Sequence, residues 1–214
     1  WKKFMKHITF YFDFISPYAF LAFEKLPRTL DGLSYLVTYK PVLFGALLKH
    51  NGQLGPAEIK DKRTWTYRHA QWLAEEQKTD YQLPLLHPFS SLALLRLALA
   101  CGRQGVCSRW VCETIFRHVW QTGLDAADSE RLKDLTLQLA PSVLGDSAAV
   151  KEQLRKNTES AIAIGVFGVP TYEVDGELFW GLDALPMLSA YLRGSDFTQK
   201  GAWKNAPTWG RAKG

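Results

Sequence analysis

The chain has 214 residues, 47% hydrophobic and 22% charged, a globular composition long enough for one domain or one domain carrying a large insertion. Its 26 Lys+Arg against 21 Asp+Glu give a net charge of +5, but the basic residues are scattered and no run of five or more like charges occurs. That pattern speaks against nucleic acid and for small anions as partners. The longest apolar stretch, "SLALLRLALA", is broken by Arg96, so no membrane span is expected. Three cysteines, Cys101, Cys107 and Cys112, form no CxxC and point to a reducing, cytoplasmic setting. Five histidines show no metal-ligand spacing, and no metal is expected. No cleavable leader pattern is visible, and Met5 is a candidate for the natural start.

The first element is "HITFYFDF" (7–14), which puts Ile8, Phe10, Phe12 and Phe14 on one face of a strand. Tyr11 and Ile15 keep the opposite face apolar, as a strand covered on both sides requires. A helix is predicted from Pro17 to about Leu26. "LSYLVTYKPV" (33–42) then alternates as a second strand that stops at Pro41. Strand, helix, strand predicts a parallel pair with a right-handed crossover.

Five helices follow in "KRTWTYRHAQWLAEEQ", "HPFSSLALLRLALACG", "SRWVCETIFRHVWQTG", "SERLKDLTLQLA" and "DSAAVKEQLRKNTESAIAIG". Trp65, Trp72, Trp110 and Trp120 are expected in their core, as are the three cysteines. Strands return at "TYEV" and "ELFWG", joined by Asp175-Gly176, a two-residue loop that favours a type I′ hairpin. "DALPMLSAYLRG" closes the pattern as a helix, with Asp183 as candidate N-cap. The tail carries Trp203 and Trp209 and is expected to pack on the body or a partner chain, or to be partly disordered.

This order is that of an α/β, thioredoxin-like sheet (βαβ…ββα) with an all-helical insertion subdomain. The expected division is 6–45 with 166–194 for the sheet domain, 46–165 for the insertion and 195–214 for the tail. In thioredoxin-type proteins the start of the first helix holds the reactive cysteine of CxxC. Here the four residues are Ser16-Pro17-Tyr18-Ala19, so thiol exchange by the protein's own cysteines at this spot is excluded. Serine before proline is a good helix cap. A helix start also stabilises an anion, so Ser16 is equally a candidate to hold a thiolate that arrives with a cofactor.

"FYFDFISPYAFLAF" (10–23), "FGVPTYEVDGELFWGLD" (167–183) and the helical block between them are similar to the kappa-class glutathione transferases. They resemble still more closely the bacterial 2-hydroxychromene-2-carboxylate isomerases of naphthalene-type aromatic catabolism, over roughly Lys6 to Gly194. The resemblance implies that glutathione is the cofactor, with Ser16 facing its sulfur and Pro17 and Tyr18 beside it. It implies a cis peptide before Pro170, with Val169 offering its backbone to the peptide-like cofactor. It places Leu182 and Asp183 at the γ-glutamyl end and Asn51 at a further contact, although Ala184 stands where kappa-type sequences often carry arginine. Lys40, Arg63, Tyr67 and Arg68 are candidates for the substrate's acidic group.

The implied reaction interconverts 2-hydroxychromene-2-carboxylate and trans-o-hydroxybenzylidenepyruvate, with an aromatic oxo-acid as partner and a homodimer as the usual state. The alternatives are a kappa-like transferase or peroxidase acting on small electrophiles, and a non-catalytic thioredoxin-type module in which Ser16 is only a cap. A dithiol oxidoreductase is disfavoured by the SPYA sequence itself.

Overall fold

The computed structural model describes residues 5–206, and within them four strands form one sheet in the order β2-β1-β3-β4. β1 (Lys6–Phe12) lies inside the sheet and pairs parallel with β2 (Tyr35–Pro41), Ile8 opposite Val37. On its other side β1 pairs antiparallel with β3 (Thr171–Val174), Tyr11 opposite Thr171, and β3 turns into β4 (Glu177–Trp180). The turn residues Asp175 and Gly176 have φ of 54° and 83°, the doubly left-handed geometry that the Asp-Gly pair was expected to supply.

Alternation along β1 builds both layers. Ile8, Phe10, Phe12 and Phe14 have no solvent exposure and face α1 (Pro17–Thr29) and α5 (Arg109–Trp120). The Phe12 and Phe14 rings sit 5.4 and 4.8 Å from Phe116 of α5, and Phe10 lies 5.3 Å from Tyr172 of β3. On the opposite face Tyr11 joins Val42, Leu47, Ala161, Val166 and Val169 in a smaller cluster. That cluster lies beneath α2 (Phe44–His50) and α7 (Ala148–Ala163). Between β2 and β3 the chain also forms α3 (Lys60–Gln77), α4 (Leu92–Ala100) and α6 (Ser129–Leu139), and after β4 it forms α8 (Leu185–Leu192) and α9 (Gly201–Asn205).

Three features depart from the sequence pattern. α2 was not expected. α1 runs three residues past Leu26, through Pro27 to Thr29. Only Trp120 of the four insertion tryptophans is buried, whereas Trp65, Trp72 and Trp110 are 66, 55 and 54% exposed. The cause in α3 is steric: its buried face is Thr66, Ala70 and Ala74, small side chains that let the helix lie close to α1 and leave its indoles on the flank.

Cys107 and Cys112 are buried and free, their sulfurs 3.1 Å apart, and Cys101 is partly buried. The tail packs on the body through Trp203, whose ring lies 5.3 Å from Phe197, itself 6.4 Å from Tyr191 of α8. Trp209 lies outside the described residues. Among the described residues no helix is long and apolar enough to cross a membrane.

Trp120 does more than fill space, because its indole N–H donates to the Phe14 carbonyl at 2.9 Å inside the core. Trp120→Phe leaves that buried acceptor without a partner and opens a void. Denaturant unfolding is expected to show a loss of roughly 2–4 kcal/mol.

Candidate active site

The segment Asp13–Ser16 leaves the end of β1 and turns into α1. Ser16 is extended, with φ −90° and ψ 116°, and its Oγ accepts the Ala19 N–H at 3.1 Å. It is therefore the N-cap, with Pro17 supplying the first helical residue. Its own hydroxyl proton has no acceptor among the described residues, although the residue is only 6% exposed. Capping uses the oxygen's lone pair and leaves the donor free.

The carbonyls and amides of this short turn are held from three directions. The Asp13 carbonyl accepts from Ser16 N at 3.2 Å, the Phe14 carbonyl from Trp120, and the Ile15 carbonyl from His87 Nε2 at 2.8 Å. The Asp13 carboxylate, 1% exposed, accepts from Ile15 N at 3.2 Å and from Phe44 N at 2.9 Å. Burial raises its pKa from the ordinary 3.8 to about 6, against the opposing pull of the Ser91 hydroxyl and the Phe44, Ile15 and Phe14 N–H groups. Neither Asp13 nor His87 was singled out in the sequence. For Asp13 there was a signal, a lone charge inside an apolar strand; for His87 there was none.

The peptide between Val169 and Pro170 is cis, as the resemblance implied. The β1–β3 ladder ends with Tyr11 opposite Thr171, so Pro170 and Val169 follow just beyond the pairing, at the same end of the sheet as the Asp13–Ser16 turn. Among the described residues, neither the N–H nor the C=O of Val169 is used in a hydrogen bond. An open donor and acceptor on one residue form an edge onto which a peptide can add.

The end of β4 completes the mouth. Gly181, with φ 102°, donates its N–H to the Pro170 carbonyl at 2.9 Å and starts the 3₁₀ turn Leu182–Ala184, which packs against α1. Leu182 is buried and Asp183 exposed. Asp183 caps nothing: Ala184 precedes α8, and that helix has no side-chain cap. Its carboxylate has no hydrogen bond or ion pair among the described residues, yet its charge raises the pKa of Tyr18 and Tyr172 beyond the effect of burial. The Tyr18 hydroxyl lies 3.0 Å from His69 Nδ1 of α3.

The remaining sequence candidates separate. Tyr67 is brought in, its hydroxyl 2.8 Å from both Nδ1 and the carbonyl of His87. Arg63, one turn earlier, is exposed and close enough for its charge to lower the Tyr67 pKa against burial. Arg68 is exposed and points away from the face that α3 buries. Lys40 is in register with Tyr11, on the face of the sheet away from α1, where it donates to Ser160 Oγ at 3.2 Å and lies 5.6 Å from the Tyr11 ring. Asn51 is exposed at the C-terminal end of α2, where its amide donates to the Leu47 carbonyl at 2.8 Å. The structure thus assembles Ser16, Pro17, Tyr18, Val169, Pro170, Leu182 and Asp183, with Tyr67 and Arg63 at the flank.

A thioredoxin-like sheet with a serine-capped helix start and a cis-proline edge defines the class. The family model described as the DSBA-like thioredoxin domain matches residues 7–193, and the chain belongs to that family. The 2-hydroxychromene-2-carboxylate isomerase of Sphingobium xenophagum is 29% identical over 210 residues, covering 87% of this chain and 98% of that protein. Glutathione S-transferase kappa 2 of Caenorhabditis elegans is 27% identical over 206 residues, covering 87% of this chain and 92% of that one. A solved 2-hydroxychromene-2-carboxylate isomerase superposes with a TM-score of 0.71 at 23% identity, over 94% of this chain and 98% of the other.

The Asp13 shift carries a definite sign. A carboxyl whose folded pKa is raised binds its proton more tightly in the native state. Its contribution to stability is complete below about 3.8 and is lost as pH rises through about 6. The loss amounts to about 3 kcal/mol. Asp13→Asn, which does not titrate, is expected to gain on the wild type by up to that amount between pH 4 and pH 7.5 in paired denaturant melts; a change in the opposite direction refutes the shift.

Proposed function

We propose that the chain is a glutathione-dependent isomerase that interconverts 2-hydroxychromene-2-carboxylate and trans-o-hydroxybenzylidenepyruvate. The observation that carries the reading is the uncommitted Ser16 proton at the start of α1, with the open backbone of Val169 at the same end of the sheet. The relatives named as isomerases and kappa-class transferases support the same chemistry. The residues present fit glutathione: Val169 offers a donor and an acceptor to its peptide backbone, and the unpaired Asp183 carboxylate suits its ammonium. Bound glutathione supplies a thiolate able to add to a conjugated double bond, let it rotate as a single bond, and leave again.

Everything else falls to the protein. A thiol with a pKa near 8.5 is only about 3% ionised at pH 7, and lowering it two units takes roughly 2.7 kcal/mol. A hydrogen bond from Ser16 to a charged sulfur contributes ~1.5–3 kcal/mol, and the start of α1 up to ~2. Together they suffice. Arg63, whose charge reaches Tyr67 at the flank of the site, is assigned to the substrate's carboxylate, and burial keeps Tyr18 protonated. A reducing cytoplasm, where glutathione is abundant, suits such a site. The kappa-class relative favours one other reading, transfer of glutathione to an electrophile, which differs in consuming glutathione with each turnover.

Near-ultraviolet thiolate absorbance across pH tests the reading. The glutathione thiol bound to the wild type is expected to ionise well below pH 8, and Ser16→Ala to return it upward by about one to two units. Asp183→Asn is expected to weaken glutathione binding about two- to fivefold without moving that thiol pKa. An unshifted thiol in the wild type refutes the isomerase reading, while loss of free glutathione during turnover selects the transferase.

A further inference from the structure

We infer that His87 is a positioning residue for Ser16, acting through the Ile15 carbonyl and locked in place by Tyr67. The inference rests on the reading of Ser16 as the group that holds a thiolate. His87 lies 71 residues beyond Ser16, on the irregular segment between α3 and α4, and its ring is packed between Phe89, at 5.9 Å, and Trp120, at 5.5 Å.

Hydrogen-bond accounting fixes the state of the ring. The Ile15 carbonyl can only accept, so Nε2 must carry the proton across the 2.8 Å contact. Burial lowers the His87 pKa from 6.5, with partial offset from the Ile15 bond, so the ring is neutral at pH 7. In the neutral ring Nδ1 is then an acceptor, and the Tyr67 hydroxyl stands 2.8 Å from it and 2.8 Å from the His87 carbonyl. Tyr67 itself is held protonated by burial. Its single proton faces two acceptors that both belong to His87, so it fixes the tautomer and the ring orientation together.

The peptide that follows the Ile15 carbonyl is the one whose nitrogen belongs to Ser16. Holding that carbonyl fixes the plane of the Ile15–Ser16 peptide and the direction of the Ser16 N–H, which donates to the Asp13 carbonyl. It thereby fixes the Cα from which the hydroxyl projects. Charge-assisted hydrogen bonds depend steeply on geometry, so an error in this plane is expressed at the thiolate rather than at substrate contacts. Tyr67 therefore faces His87 before it faces any substrate.

The test is the pH titration of glutathione bound to the protein, with no second substrate present. His87→Leu is expected to raise the bound thiol pKa by about one unit, while the affinity for glutathione below pH 6, where the bound thiol is protonated, changes less than twofold. His87→Gln puts an amide N–H near the Nε2 position and is expected to restore most of the shift. Tyr67→Phe keeps the ring but frees it, and a rise of about half a unit in the bound thiol pKa is expected. A folded His87→Leu protein with wild-type ionisation overturns the inference. If His87→Leu does not fold, Tyr67→Phe decides it: wild-type ionisation there overturns it equally. Ser16→Ala separates the two levels. An unshifted thiol in the wild type removes the reading of the site and this inference with it, whereas a shift lost in Ser16→Ala but kept in His87→Leu removes only the inference.

Discussion

A buried carboxylate that meets no cation among the described residues dominates the architecture around the site. Taking the Asp13 charge out of water is costly unless its oxygens are satisfied, and here they are satisfied by donors far apart in sequence. The end of β1, the first residue of α2 and the segment before α4 must meet at that carboxylate. Ser16 is three residues away on the same turn, so its position is a by-product of solving the Asp13 problem. Trp120 and His87 close the Phe14 and Ile15 carbonyls, and the hydroxyl proton of Ser16 is left open.

The same geometry reconciles two roles of one serine. An N-cap accepts a proton from the helix, while thiolate stabilisation donates one outward. These are different faces of one oxygen, and the fold leaves the second face open. A threonine at this position could cap as well, but its methyl group would compete for the nearly closed space around a residue that is only 6% exposed.

Much of this was legible in the sequence where the determining interactions are local. Alternation in "HITFYFDF" announced both faces of β1, the Asp-Gly pair announced the hairpin, and Ser16-Pro17 announced the helix start. What escaped reading depends on partners distant in the chain. α2 lacks a local cap because Leu43 cannot supply one; its first N–H groups are satisfied by Asp13 and by Thr158 of α7. The exposure of Trp65 and Trp72 escaped because the packing face of α3 is defined by its small residues, which carry little hydrophobic signal. Asn51 and Lys40 each make one hydrogen bond within the fold that the sequence pattern does not show, to the Leu47 carbonyl and to Ser160.

The three cysteines acquire a meaning beside Ser16. Burial raises the Cys101 thiol to about 11 and pushes Cys112 well above its ordinary range, so neither supplies a thiolate near neutral pH. Under the proposed function, the only reactive sulfur in the site is one that diffuses in and out. Oxidants that carry a protein cysteine to sulfinic or sulfonic acid destroy the enzyme that bears it. Here the same accident spoils one small molecule, which the next one replaces. The serine thus makes the nucleophile a consumable part, and the catalyst wears only as fast as its fold.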